Sequence, residues 1–319
     1  MESGCKRAAI SIIMTALLLL LFYSYTFAQE RVESCEQSCT DHASSQETAS
    51  GPLLYRETQC ISLNGFQYQG ITVAMDNRIC AAGGHALLIL DRDGAPLKKI
   101  VLESEATCIA SDSVTDIYIG LTDHVEVYSA EGVRKDIWAS LGSNAIITSI
   151  AVAPDMVYVA DAGNRLVMGF SKSGRLEAII GNKSAGADRF IIPSPYFDIA
   201  VGPDNSLWIA NTGRRQLEKY TPDGTMISAW GESSTRVEGF AGCCNPSHFA
   251  ILPDGSFVTS EKGIPRVKLY DPNGEFVELV AGPDRFMEGA TGLDIAVNGR
   301  GEILILDPGK ECIRVFKQR

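Results

Sequence analysis

The stretch GFAGCCNPSHFAILPDG, Gly239 to Gly255, sets Cys243 and Cys244 side by side with His248 four residues on. Three arrangements suit that spacing. A vicinal Cys243–Cys244 disulfide would be a strained, reducible ring and a rigid surface. A thiolate pair joined by His248 and Cys108 would suit soft Cu(I) or Zn. Two separately engaged or buried thiols would carry no chemistry.

A second set is spread along the chain. Asp198, His248 and Asp294 each stand just before an apolar strand-like run (IAV, FAI, IAV). Two carboxylates and an imidazole suit zinc, manganese or iron, and with water and carbonyl ligands calcium as well. Acidic residues at such a position also serve as acceptors for backbone N–H groups, so both roles are open. The sequence has no G-x-S-x-G, H-E-x-x-H, P-loop or C-x-x-C-H motif, which removes the commonest hydrolase, zincin, nucleotide and haem readings.

These residues need a scaffold, and the chain repeats one. Four passages read alike: ITSIAVAPDMVYVADAGNRLVMGFSKSGRLEAIIG, YFDIAVGPDNSLWIANTGRRQLEKYTPDGTMISAWG, SHFAILPDGSFVTSEKGIPRVKLYDPNGEFVELVAG and GLDIAVNGRGEILILDPGKECIRVF. Weaker copies start at Gly70 and Cys108. Each is strand, turn, strand, polar loop, strand, Gly turn, strand, and 3.6-residue periodicity is nowhere sustained. The hairpin glycines Gly94, Gly132, Gly174, Gly224 and Gly274 recur roughly every 40–50 residues, the spacing of a propeller blade.

The strand count predicts how the ring closes. The sixth copy stops after its third strand, at Arg319, and an unpaired edge there is a liability. Leu54–Leu63, LYRETQCISL, alternates suitably and precedes the first inner strand, so it supplies the missing outer strand. The expected fold is all-β, a six-bladed propeller of four-stranded blades spanning 54–319. Cys60 would then neighbour Cys312, and a disulfide between them would clamp the ring.

Residues 1–28 are a different kind of segment. Lys6 and Arg7 precede an apolar run with five consecutive leucines, and Thr26-Phe27-Ala28 resembles a signal-peptidase site. The run also approaches the ~20 residues that span a bilayer. A cleaved signal peptide or an N-terminal membrane anchor both fit, and either way the body is exported, to the periplasm or the cell exterior. Residues 29–53 are a polar linker, where Cys35-x3-Cys39 is a candidate small disulfide loop. The net charge of −11 argues against nucleic acid as a partner, and a membrane is engaged only through the N-terminal segment.

The runs VYVADAGNRLV and LWIANTGRRQL resemble the NHL-repeat family of propellers, as an exported, bacterial-type member, over roughly residues 54–319. The likeness is strong in blades three to six, whereas AAGGHALLI and IGLTDHVEV depart from the pattern. It implies the fold and leaves function open among partner-binding modules, lyases and hydrolases. In a propeller, the entry loops and second-to-third-strand loops share one face, the funnel. Cys243, Cys244, Glu261, Lys262, Asp161, Asn164, Arg165, Asn211 and Arg214 are therefore expected there, with Arg215, Asp307, Lys310, His85 and His124. The leading expectation is a module binding a protein or small molecule on that face. The alternatives are a metal-dependent lyase or hydrolase with a channel cation (Ca, Zn or Fe), and a thiol or copper redox protein using Cys243 and Cys244.

Overall fold

The β-branched and aromatic runs that repeat along the sequence are apolar on both faces, which suits strands covered on both sides. In the computed structural model, which describes residues 54–65, 67–74, 76–112, 116–181 and 190–319, they form six antiparallel sheets. The expected leader, the linker and Cys35 and Cys39 lie outside the described residues. No helix among the described residues is long and apolar enough to cross a membrane.

Blades two to five run from inner to outer strand in simple order, for example Ile199–Val201, Leu207–Asn211, Gln216–Tyr220 and Met226–Trp230 in blade four. Blade one condenses its two middle strands into one run, Ile79–Leu90, between Gly70–Val73 and Pro96–Ala106. Facing parity flips inside that run. Cys80, Ala82, Leu87 and Ile89 enter one core while Ile79, Ala81, Ala86, Leu88 and Leu90 enter the next. A straight strand cannot do that, whereas a fold-back at Gly84 (φ 50°) can. This tight turn is why blade one departs from the repeat.

Each of the six hydrophobic cores lies between two neighbouring blades. Ile303 and Ile305 pack with Leu252, Val258 and Leu269 of blade five, and Leu304 and Leu306 with Ile71 and Leu88 of blade one. Turn glycines admit close packing at the rim. A Cβ on Gly174 (φ 76°) would come within 2.6 Å of Trp138, and one on Gly274 (φ 86°) within 2.4 Å of Trp230.

Ring closure follows the expectation. Tyr55–Ser62 pairs antiparallel with Cys312–Gln318 as the outer strand of blade six. Cys60 and Cys312, a diagonal pair of that register with Cα atoms 5.9 Å apart, form a disulfide. It spans 252 residues, so chain entropy allows it up to about 5 kcal/mol, with smaller values common. Cys60→Ser is expected to cost about 2–5 kcal/mol in urea unfolding, and reductant should lower the midpoint of the wild type more than that of the variant. Equal unfolding midpoints for wild type and variant would contradict the clamp.

Candidate metal and ligand site at the channel mouth

Every inner strand begins near the propeller axis, and pairing defines which residues are equivalent there. Ser149 pairs with Ala160 and His248 with Ser260, while Ala210 N–H donates to the Asp198 carbonyl and Leu306 N–H to that of Asp294. Each of these four partners immediately precedes the last residue of its second strand. Gly70 and Cys108 take the position in blades one and two. The six inner strands line a cavity of about 230 Å³.

The carboxylates there are held by the backbone of the neighbouring blade. Asp198 Oδ2 accepts from Phe249 N–H (2.8 Å), while Oδ1 accepts from Ser149 Oγ–H (2.6 Å) and Ile199 N–H (3.0 Å). Asp294 Oδ2 accepts from Ile71 N–H at 2.7 Å. His248 Nδ1 lies 3.4 Å from Asp294 Oδ1 and 4.0 Å from Asp198 Oδ2. All three residues offer ligand atoms within 4.8 Å of one another. Burial pushes the Asp198 carboxyl up to about 6; the His248 charge opposes that rise and Asp294 adds to it. For His248, burial works against the protonated form. The hydrogen bond to Asp294 and the charges of Asp294 and Asp198 outweigh it and hold the imidazole pKa above its ordinary value.

The His248–Asp294 hydrogen bond is long, and Asp198 stands beyond hydrogen-bond reach. Ligand atoms about 2.0–2.2 Å from a tetrahedral metal stand roughly 3.3–3.6 Å apart, so the three groups, within 4.8 Å of one another, must draw together by about 1 Å to fill three corners. The imidazole favours zinc, manganese or iron over calcium. The residues fit a divalent cation of that class.

The cysteine readings fare differently. Cys243 and Cys244 sulfurs are 3.2 Å apart, beyond bonding distance. Cys244 keeps a free, buried thiol, and Cys243 is disulfide-bonded elsewhere than to Cys244. Neither the vicinal ring nor a free thiolate pair is present. Cys108 is buried and its thiol is pushed up to about 12 by burial, so it remains protonated at neutral pH. The metal-competent group among the described residues contains no cysteine.

Several expected funnel residues belong to the frame instead. Asp161, Asn211, Glu261 and Asp307, each ending a second strand, are at most 1% exposed. Asp161 Oδ1 accepts from Ile146 and Asn164 N–H and its Oδ2 from Asn164 Nδ2–H; Asn211 Oδ1 accepts from Ile191 N–H; Glu261 Oε2 accepts from Ala241 N–H. Asp161, Asn211 and Glu261 pin entry loops to blades, while Asp307 accepts from Lys310 N–H and Arg314 Nη1–H. Arg165 is exposed with φ 57°. Arg214 lies 3.5 Å from buried Glu218, Arg215 Nε–H donates to the Gly242 carbonyl, and Lys310 Nζ–H to that of Arg285. His85 Nδ1 contacts the Leu102 carbonyl and His124 Nδ1 pairs with Asp123. None of these contacts reaches His248.

Of the expected funnel residues, Lys262 does approach the metal-competent group, through a residue the sequence did not single out. The Tyr196 ring stands edge-on to His248, centroids 5.8 Å apart, and Lys262 Nζ sits over that ring at 4.8 Å. Asn245 fixes the Lys262 backbone on both sides: Lys262 N–H donates to Asn245 Oδ1 (2.9 Å) and Asn245 Nδ2–H to the Lys262 carbonyl (3.0 Å). Asn245 also donates to the Ala241 carbonyl. Beneath this loop, Glu261 is shared by two buried cations, Arg266 (2.7 Å) and Lys268 (2.6 Å). Burial holds Lys268 down, at about 8, although Glu261 opposes this. Lys268 and Arg266 both donate to the Gly239 carbonyl.

No protein-family model matches the chain, and no curated protein matches it. Solved structures do. A Bacteroides thetaiotaomicron protein of unknown function is 16% identical, with a TM-score of 0.60 over 82% of this chain and 72% of the other. A streptogramin B lyase is 12% identical, with a TM-score of 0.59 over 83% and 98%. Virginiamycin B lyase from Staphylococcus aureus is also 12% identical, with a TM-score of 0.60 over 83% and 100%. At these identities the likeness shows the six-bladed fold, and the NHL likeness stays a resemblance.

Glu261→Gln leaves Arg266 and Lys268 with an uncompensated charge, a change that costs about 3–5 kcal/mol in buried clusters. Loosening of residues 236–245 should follow, exposing Cys244. Thiol labelling with peptide mapping should find Cys244 protected in wild type and modified in the variant while Cys80 stays protected. Equal protection of Cys244 in both would contradict the clamping role.

Proposed function

We propose that this chain is an exported propeller that binds a ligand at its funnel mouth through a divalent cation held by Asp198, His248 and Asp294. The convergence of these three side chains from successive blades carries the reading. Residues 1–28 act as its signal peptide or membrane anchor and residues 29–53 as the linker. The ligand is a small molecule or an exposed group of a partner protein, since the mouth is narrow and its walls are strand backbone. Asp198 and Asp294 would offset the metal charge, and Ser149, Phe249 and Ile71 fix the carboxylate orientations, as outer hydrogen bonds do at metal sites. The bound metal would act as a Lewis acid toward a ligand oxygen.

A second reading is a lyase. It is supported by the fold likeness to streptogramin B lyase and by the ionisable groups of His248 and Lys262 around one cavity. Elimination needs a base and charge stabilisation, and both residue types are at hand there.

Metal analysis after dialysis, with calorimetric titration of zinc and manganese, tests the site. Wild type should bind about one equivalent, His248→Gln and Asp294→Asn should lose at least about 100-fold in affinity, and Ser149→Ala about tenfold. Far-ultraviolet circular dichroism shows whether each variant is folded. Folded variants that bind zinc as wild type does would refute the site. Turnover of a streptogramin B by metal-loaded protein would favour the lyase reading over plain binding.

A further inference from the structure

We infer that the funnel side of this site accepts an anionic oxygen group, a carboxylate or a phosphate, with Lys262 as its counter-charge. The inference rests on the cation reading above and adds the ligand class. Its basis is local charge and a fixed cation. With a divalent ion present, Asp198 and Asp294 balance the metal and His248 adds no charge as a neutral ligand. Lys262 is then the excess charge at the mouth. Its ammonium makes no ion pair among the described residues and rests over Tyr196, the ring that touches His248.

Position supports the same conclusion. Ser260 pairs with His248, and Lys262 follows two residues later, just past the end of that strand on the entry side. The Asn245 side chain grips the Lys262 amide and carbonyl, so little backbone entropy remains to be lost on binding. A lysine kept over an aromatic face retains part of its attraction for an anion while shedding water. An anion entering from the funnel would therefore meet Lys262 and the metal together. Without the metal the same mouth sets the two carboxylates against Lys262 and at most one charged imidazole, at least one positive charge fewer, and attracts an anion less. Metal and anion must then bind cooperatively, each strengthening the other by the same factor.

The test uses cobalt(II)-loaded and metal-free protein, titrated with acetate and with inorganic phosphate, following the cobalt visible band and calorimetry. Anion binding is expected with cobalt and at least about tenfold weaker without it. Lys262→Met should lose about tenfold in anion affinity, the worth of one charge-assisted contact, while holding cobalt within about threefold. Lys262→Arg should recover most of the loss. Phosphate binding ahead of acetate, or the reverse, identifies the preferred headgroup. Equal anion affinity in wild type and Lys262→Met, or in metal-free and loaded protein, overturns the inference. Failure of the wild type to bind any cobalt overturns the cation reading itself, which is a different result.

Discussion

A propeller leaves the inner edge of every sheet facing its axis, with backbone N–H groups that have no neighbouring strand to accept from them. Three blades solve this with the side chain at the equivalent position at the start of the inner strand, which accepts an N–H from the next blade: Ser149 from Ile199, Asp198 from Phe249, and Asp294 from Ile71. Where that side chain is absent, the strands close up instead. A Cβ on Gly70 would lie 3.2 Å from both Cys108 Cα and Ile109 N, so blades one and two meet backbone to backbone. The bonds that tie the ring therefore also deliver carboxylates to its axis.

That solution creates the electrostatic problem from which the site arises. Carboxylates suit the task because each oxygen can accept more than once, but a second carboxylate two blades along faces the first across the channel. Burial already disfavours the charge on Asp198, and Asp294 adds to the penalty. His248 sits at the equivalent place in the blade between them, where it can mediate. Protonated, it is an ion-pair partner to both; neutral, it is a ligand beside them. A divalent cation relieves the repulsion more completely than a proton, because it neutralises both charges while the N–H bonds to Phe249 and Ile71 stay in place. The frame and the proposed metal site thus use different lone pairs of the same carboxylates.

The sequence made the ring legible because both of its signals are local: the alternation that forms strands and the Gly turns that set the period. The closing strand followed from counting, and the Cys60–Cys312 disulfide followed from the closing strand. Asp198, His248 and Asp294 were also legible, since the apolar inner-strand core fixes their register. Burial of the second-strand acids was not. Asp161, Asn211 and Glu261 each precede a polar, Gly-containing loop, which reads as surface. Their burial comes from entry loops folding over them, a tertiary event that leaves no mark in the repeat itself. Tyr196 was illegible for a related reason: it lies outside the strands, and only the ring places it against His248, which comes from the next blade.

The cost of fixing Lys262 is borne by the deepest charges in blade five. Glu261, Arg266 and Lys268 are almost wholly removed from solvent, and such clusters often add less stability than apolar residues of the same size. Position explains what they do add. Glu261 holds Ala241 N–H, Lys268 and Arg266 hold the Gly239 carbonyl, and Tyr270 Oη–H donates to the Glu238 carbonyl. Ala241 in turn accepts from Asn245, and Asn245 clasps Lys262. An apolar core could not make these directional contacts to an irregular loop. The buried charges therefore set one conformation for residues 238–245. Through Asn245 they decide where the ammonium of Lys262 stands relative to His248.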